Sequence, residues 1–259
     1  MRPLIAGNWK MHGLATQLRE IETIAATVHA EPPAADVLIC LPATLLSRAA
    51  HTAAGRIAIG GEDCHAEVSG AFTGDVSAAM LKDAGATTVI VGHSERRKYH
   101  GETDAMVAAK AQAAYRSGLS TIVCIGETEA QHRAGNTLSV CGGQIAGSLP
   151  ADLARSGTAA IAYEPLWAIG SGHVPRPDQI AAVHRHIRKC LIGIAGAAGA
   201  GMRILYGGSV ISDNAREILG LENVDGVLIG GASMLAADFD AVLRALPNRL
   251  DRGSSAAQH

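Results

Sequence analysis

A chain of 259 residues that is 48% hydrophobic and only 18% charged is too apolar for a disordered protein, and it is long enough to bury a full core without staples. Lys plus Arg number 22 and Asp plus Glu 24, a net charge of −2 with no basic block, so general nucleic-acid binding has no support. Five cysteines, at 40, 64, 124, 141 and 190, form no CxxC pair, which argues against a disulfide framework or a structural zinc site and for reduced thiols in a cytoplasmic protein. The opening MRPLIAGNWKMHG lacks the shape of a signal peptide, and no run reaches the roughly 20 apolar residues of a membrane span.

Short aliphatic runs then alternate with longer helical ones. The first predicted strand covers Leu4 to Trp9. A helix over Ala15 to Ala30 follows, with Leu18, Ile21, Ile24, Ala25 and Val28 on one face. Strands are predicted at Val37 to Leu41 and Ile57 to Gly61, then a helix over Asp75 to Ala84 stopped by Gly85. The strand Thr88 to Gly92 precedes a helix over Thr103 to Ser117 stopped by Gly118. Thr121 to Ile125 is a strand, Leu138 to Leu149 a helix, and Ala159 to Tyr163 a strand. Pro177 opens a helix to Ile194, with Asp178 near its free N–H groups. Arg203 to Tyr206 and Gly226 to Ile229 are the last strands, each followed by a helix, Asp213 to Leu219 and Ala237 to Leu246.

Most of the strand runs are continuous and apolar, as in parallel strands buried on both faces. Eight such units in 259 residues, about 32 each, predict an α/β protein with a closed parallel (βα)8 barrel. The alternative, an open doubly wound sheet, needs a GxGxxG turn after an early strand, whereas the first βα turn reads GNWKMHG. A single barrel domain is expected over residues 1–250, with a frayed polar tail at 251–259.

In a parallel barrel the chemistry belongs at the C-terminal ends of the strands. Those ends carry Asn8 and Lys10, the run Gly92-His93-Ser94-Glu95-Arg96-Arg97, Glu164 after Tyr163, Gly207-Gly208-Ser209, and Gly230-Gly231-Ala232-Ser233. Singly, each has a bland reading: a solvated lysine, a structural histidine, a charged surface run, a salt-bridged glutamate, two turns. Together they fall on one predicted face. The two glycine pairs each place unhindered N–H groups near a following helix, which suits a phosphate. No Asp/Glu/His cluster is spaced for a metal. A reaction without metal or cofactor on a small phosphorylated substrate is therefore expected.

These blocks, in order, resemble the triosephosphate isomerase family: AGNWKM at 6–11, GAFTGD at 70–75, GHSERR at 92–97, CIGE at 124–127, AYEPLWAIGSG at 162–172, YGGSV at 206–210 and GGAS at 230–233. The resemblance spans nearly the whole chain. It implies a TIM barrel that interconverts dihydroxyacetone phosphate and D-glyceraldehyde 3-phosphate in glycolysis and gluconeogenesis. Glu164 would be the general base, His93 a neutral electrophile, Lys10 the partner of the developing oxyanion, and Asn8 a supporting donor. Glu95 would pair with Lys10, and Cys124 would pack beside the base. Backbone N–H groups of Gly170, Ser209, Gly230 and Gly231 would hold the phosphate. Pro165, Leu166, Trp167, Ala168, Ile169, Gly170, Ser171 and Gly172 would form the lid, latched by Tyr206 and Ser209.

Burial is expected to raise the pKa of Glu164, because a carboxylate in water is too weak a base for the α-hydroxycarbonyl proton. The segment 62–75 resembles the family's protruding third loop, with Thr73 beside the partner's Asn8 and Lys10, so a homodimer is implied; the sequence leaves a tetramer open. His12, Glu62, Leu166 and His173 depart from the usual family text. Two other readings remain at this stage: an isomerase of a four-carbon ketose phosphate, and a non-catalytic barrel serving as a binding scaffold.

Overall fold

In the computed structural model, residues 1–169 and 174–246 are described. The aliphatic runs form eight strands, β1 (Leu4–Asn8), β2 (Asp36–Leu41), β3 (Ala58–Gly61), β4 (Thr88–Val91), β5 (Ser120–Ile125), β6 (Ala159–Tyr163), β7 (Arg203–Tyr206) and β8 (Gly226–Ile229). They pair in parallel in sequence order, and β8 returns to β1 through Leu4↔Gly226 to Gly7↔Ile229, closing the barrel. The helices are α1 (Leu18–Ala30), α2 (Ala43–Ala53), α3 (Ala78–Asp83), α4 (Ser94–His100), α5 (Asp104–Arg116) and α6 (Glu129–Arg133). They continue with α7 (Thr137–Ser148), α8 (Ala151–Ser156), α9 (Pro177–Ala195), α10 (Ala197–Ala200), α11 (Ser212–Gly220) and α12 (Ala236–Arg244).

Every strand is buried on both faces because it separates two cores. The inner core, among the strands, contains Leu4, Ala6, Leu38, Cys40, Ile90, Ile122, Cys124, Ala160, Ala162, Leu205 and Leu228. The outer core joins the strands' other faces to the helices through residues such as Ile5, Ile39, Val89, Ile161, Ile204 and Val227. Side chains alternate across a strand. Continuing the inward stripe beyond the last inner-core residue therefore leads from Leu4 and Ala6 to Asn8, and from Ala160 and Ala162 to Glu164. The same step leads from Leu205 to Gly207 and from Leu228 to Gly230. The barrel's own periodicity delivers these four residues to its C-terminal mouth.

The predicted strands match the observed ones to within one residue at each end. Gly85 and Gly118 do end their helical segments, with φ of 99° and 70° that a side chain would resist. The helix expected over Asp75 to Ala84 is shorter: Ser77 caps it by accepting the Met80 N–H, and an isolated bridge pairs His65 with Ser77 just before it. Helices α2, α4, α6, α8 and α10 have no counterpart among the predicted ones. In α2, Leu45, Leu46, Ala49 and Ala53 form a buried helical face directly after Pro42. The other four are only four to seven residues long, too short for a helical period to register. The expected tail at 251–259 lies outside the described residues.

Candidate active site

At the end of β1, Asn8 is buried and its Oδ1 accepts the Lys10 N–H at 3.2 Å. That contact accompanies a left-handed backbone at Lys10, φ 59°, a conformation costly for a residue with a Cβ. The turn brings Lys10 Nζ to 2.6 Å from Glu95 Oε1. Glu95 lies in the first turn of α4, and the residue that caps this helix is His93. Its Nδ1 accepts the Glu95 N–H at 3.2 Å, which leaves Nε2 to carry the ring proton.

Helix α4 is pinned by its two arginines rather than by apolar burial. Arg97 donates to Gly92 O, Asp104, Ser148 and Cys124 O at 2.6–3.2 Å. Arg96 donates to Glu102 at 2.5 Å and lies 2.9 Å from Asp63, and Lys110 joins the same pair of carboxylates. The GHSERR run is therefore a buttress for His93 as well as a polar surface.

Glu164 is buried at the end of β6, with Oε1 2.9 Å from His93 Nε2 and Oε2 accepting the Ser94 N–H at 2.9 Å. Here the expectation of a raised pKa is overturned. Burial does push the carboxylate up, but the adjacent His93, its hydrogen bond, the Ser94 N–H and Lys10 outweigh it and hold Glu164 below the ordinary carboxylate value. Burial lowers His93, and the Glu164 carboxylate overrides that and raises it. The two shifts are one interaction seen from both sides. Cys124 is fully buried, and its thiol is raised by burial and then by the neighbouring Glu164 charge.

Asn8, Lys10, His93 and Glu164 share a cavity of about 320 Å³ with Ser209, Gly230 and Gly231. Its far wall is the two glycine turns. A Cβ on Gly207 would come within 2.9 Å of Glu164 Cγ, and one on Gly208 within 2.1 Å of the Tyr206 hydroxyl oxygen, so both glycines are required by packing. Gly231–Ser233 is a 3-10 turn following Gly230, and the leading N–H groups of such a turn lie outside its own hydrogen-bond ladder. Tyr206 is buried, and its hydroxyl has no hydrogen-bond partner among the described residues. Of the expected lid, Pro165 to Ile169 form a turn closed by Ala168 N–H to Pro165 O at 2.8 Å, with Ala168 buried. Gly170, Ser171, Gly172 and His173 lie outside the described residues.

Residues 3–246 match the family model described as triosephosphate isomerase. The chain belongs to the triosephosphate isomerase family. It is 58% identical over 245 residues to the triosephosphate isomerase of Ruegeria sp. (strain TM1040), covering 95% of this chain and 98% of that one. The Afipia carboxidovorans enzyme is 56% identical over 248 residues, with 95% and 98% coverage. The crystal structure of triosephosphate isomerase from Bartonella henselae superposes with a TM-score of 0.88 at 46% identity, over 95% of this chain and 99% of that one. The chain is accordingly an isomerase.

Two features of this isomerase escaped the sequence reading. Glu127, from the CIGE block, is wholly buried at the end of β5, and its Oε1 accepts Trp167 Nε1–H at 2.8 Å and the Tyr163 hydroxyl at 3.2 Å. A carboxylate two residues past the end of an aliphatic strand was the available signal. Gly126, just before it, meets the backbone of Glu164 so closely that a Cβ would lie 1.8 Å from the Glu164 carbonyl oxygen.

Glu62, one of the departures from family text, sits at the end of β3 beside Lys10. Its Oε1 is buried with no hydrogen-bond partner among the described residues. Burial pushes its pKa from 4.5 up to about 8, with the Lys10 N–H and Lys10 charge opposing and Glu95 reinforcing; Cys40 also faces it. The folded protein thus keeps a proton that the unfolded chain releases. Stability contributed by this site should fall as pH rises from about 4.5 and level off above about 8. Glu62→Gln should remove that slope and raise the melting temperature at pH 9 more than at pH 5. Equal melting shifts at both pH values would contradict this.

Proposed function

We propose that Glu164 is the general base in the interconversion of dihydroxyacetone phosphate and D-glyceraldehyde 3-phosphate, with His93 and Lys10 as the electrophiles. The observation that carries the proposal is the direct 2.9 Å contact between Glu164 Oε1 and His93 Nε2 on a shared cavity wall. The same Nε2–H that Glu164 accepts is suited to a substrate carbonyl oxygen. When substrate takes it, Glu164 must give up His93 and Ser94 to reach carbon. Those donors are what hold its pKa down, so leaving them makes the carboxylate more basic. The move also takes the main charge that raises His93 away from it, which favours neutral imidazole.

Glu164 would then take a proton from C1 of dihydroxyacetone phosphate and return it to C2 of the resulting enediolate. His93 would donate Nε2–H to the oxygens and relay a proton between them, while the Lys10 ammonium and Asn8 stabilise the negative charge. Glu95, at 2.6 Å, would aim Lys10. Backbone N–H groups of Ser209, Gly230, Gly231 and Gly170 would hold the phosphate. Pro165 to Gly172 would close over the site, latched by Tyr206 and Ser209, and keep water from the enediolate. We place all of this in one barrel domain, residues 1–250, working in the cytoplasm; no described helix is long and apolar enough to cross a membrane.

The reading includes a homodimer through the 62–75 loop. Supporting it, Met11 is 95% exposed and Tyr99 70% exposed, and both line a groove with Lys10, Glu95 and Gly74. A coupled assay run in parallel on triose and tetrulose phosphates should show faster turnover of the triose; the reverse order would favour the four-carbon reading. Lys10 and His93 supply the polarisation that a metal would otherwise provide. Dialysis against a strong chelator should therefore leave kcat unchanged, and a loss restored only by divalent metal would overturn the mechanism.

A further inference from the structure

The side chains around Glu127 converge on one oxygen from three elements. From β6 and the turn after it come Tyr163 and Trp167, and from α7 comes Thr137, whose Oγ1 lies 3.3 Å from Glu127 Oε1. The third is α6, which contributes His132. The imidazole of His132 stacks on the Trp167 indole, with centroids 4.3 Å apart and planes inclined by 23°. Its Nδ1 lies 3.5 Å from Glu127 Oε1 and 3.3 Å from Thr137 Oγ1. The charged groups on its own helix, Glu129 and Arg133, pair with each other. The helix is only five residues long but is fixed at its start, where Thr128 accepts the Gln131 N–H and Gln131 Oε1 accepts the Thr128 N–H. Trp167 is therefore held on its edge by Glu127 and on its face by His132.

We infer that His132 is a positioning residue: it clamps Trp167 against Glu127 and so fixes the chain that leaves the catalytic base. Trp167 is only three residues after Glu164, and the Leu166 N–H also bonds to Glu127 O at 3.2 Å. The intervening residues have little freedom once the indole is fixed. A slack indole would spread the positions open to Glu164, and misplacement of about 1 Å at a reacting group costs up to 10²-fold in rate. Stacking supplies the face contact in either charge state.

The inference rests on the assignment of Glu164 as base, and its test includes a signal independent of turnover. The chain has two tryptophans, Trp9 and Trp167, and Trp9 is buried with its Nε1–H bonded to Ser233 O. Emission and its quenching by acrylamide should be recorded at one pH for the parent, for His132→Ala, for His132→Phe, and for Trp167→Phe as the control that identifies the responding ring. We expect the Trp167 contribution, taken as the difference from Trp167→Phe, to be quenched more readily in His132→Ala than in the parent or in His132→Phe. In the same preparations, His132→Ala should lower kcat roughly tenfold with KM within twofold and with little change in melting temperature, because His132 is partly exposed. His132→Phe, which keeps the stack, should recover most of the loss. The clamp is overturned if His132→Ala keeps kcat within twofold of the parent. It is equally overturned by a loss that His132→Phe does not recover or that follows a fall in melting temperature, or by Trp167 quenching that His132→Ala leaves unchanged. If instead Glu164 is not the base, Glu164→Gln will keep its turnover while the emission result stands on its own.

Discussion

Glu164→Gln is expected to lower kcat by roughly 10²–10⁴-fold while leaving the barrel folded. The amide matches the carboxylate in size, and its oxygen can still accept the Ser94 N–H that Glu164 Oε2 accepts at 2.9 Å. What it cannot do is take a proton from carbon. The fold has little stake in the exchange, because the strand that leads to residue 164 is held by its ladder with β5 and β7 and by its two cores. Circular dichroism should be unchanged and turnover nearly abolished, measured on enzyme freed of host isomerase. Turnover within twofold of the parent would remove Glu164 from the role assigned to it.

Replacing residues 68–74 with a short polar turn is expected to produce monomers with kcat lower by roughly 10²-fold and the barrel largely retained. Phe72 is one of two phenylalanines in the chain; the other, Phe239, is fully buried, whereas Phe72 is 43% exposed at the tip of this loop. Its ring leans on His65, with centroids 4.1 Å apart, and a Cβ on Gly70 would strike it at 2.6 Å, so the tip has a defined shape. Burying the part of Phe72 that is still exposed against a second copy is worth roughly 1 kcal/mol, less than half the value for a fully exposed side chain. The coupling to rate follows from Lys10. Its left-handed backbone is costly, and the groove beside it is lined by Met11, Glu95 and Tyr99 and open to a partner. Light scattering and turnover on one sample decide the matter. A folded monomer with parental kcat would separate assembly from catalysis, and an unaltered dimer would remove the loop from the interface.

The barrel was legible because its cause is local: each strand is a run of aliphatic residues, and being buried on both faces is what a closed parallel sheet requires. The mouth was legible for a related reason, since Asn8, Glu164, Gly207 and Gly230 break those runs at the same end. Lys10, His93 and Glu95 were found from the same strand-end argument, and their mutual distances of 2.6 and 3.2 Å were not. The pKa direction of Glu164 was misjudged because burial can be inferred from a strand end, whereas the competing donors come from α4, 70 residues away in the chain. Glu127 was passed over for the converse reason. Its partners are a tyrosine and a tryptophan that each read as ordinary core or lid residues, and only the fold brings them to one oxygen.

The central claim is that a carboxylate moves a proton on and off substrate carbon, and isomerisation of dihydroxyacetone phosphate in deuterium oxide tests it most directly. A proton held on Glu164 during the enediolate step can exchange with solvent before it is returned. The product D-glyceraldehyde 3-phosphate should therefore carry deuterium at C2, and Glu164→Gln should lose incorporation and turnover together. Product formed by Glu164→Gln at the parental rate with only the original hydrogen at C2 would indicate direct transfer between the two carbons without this carboxylate, and would contradict the account.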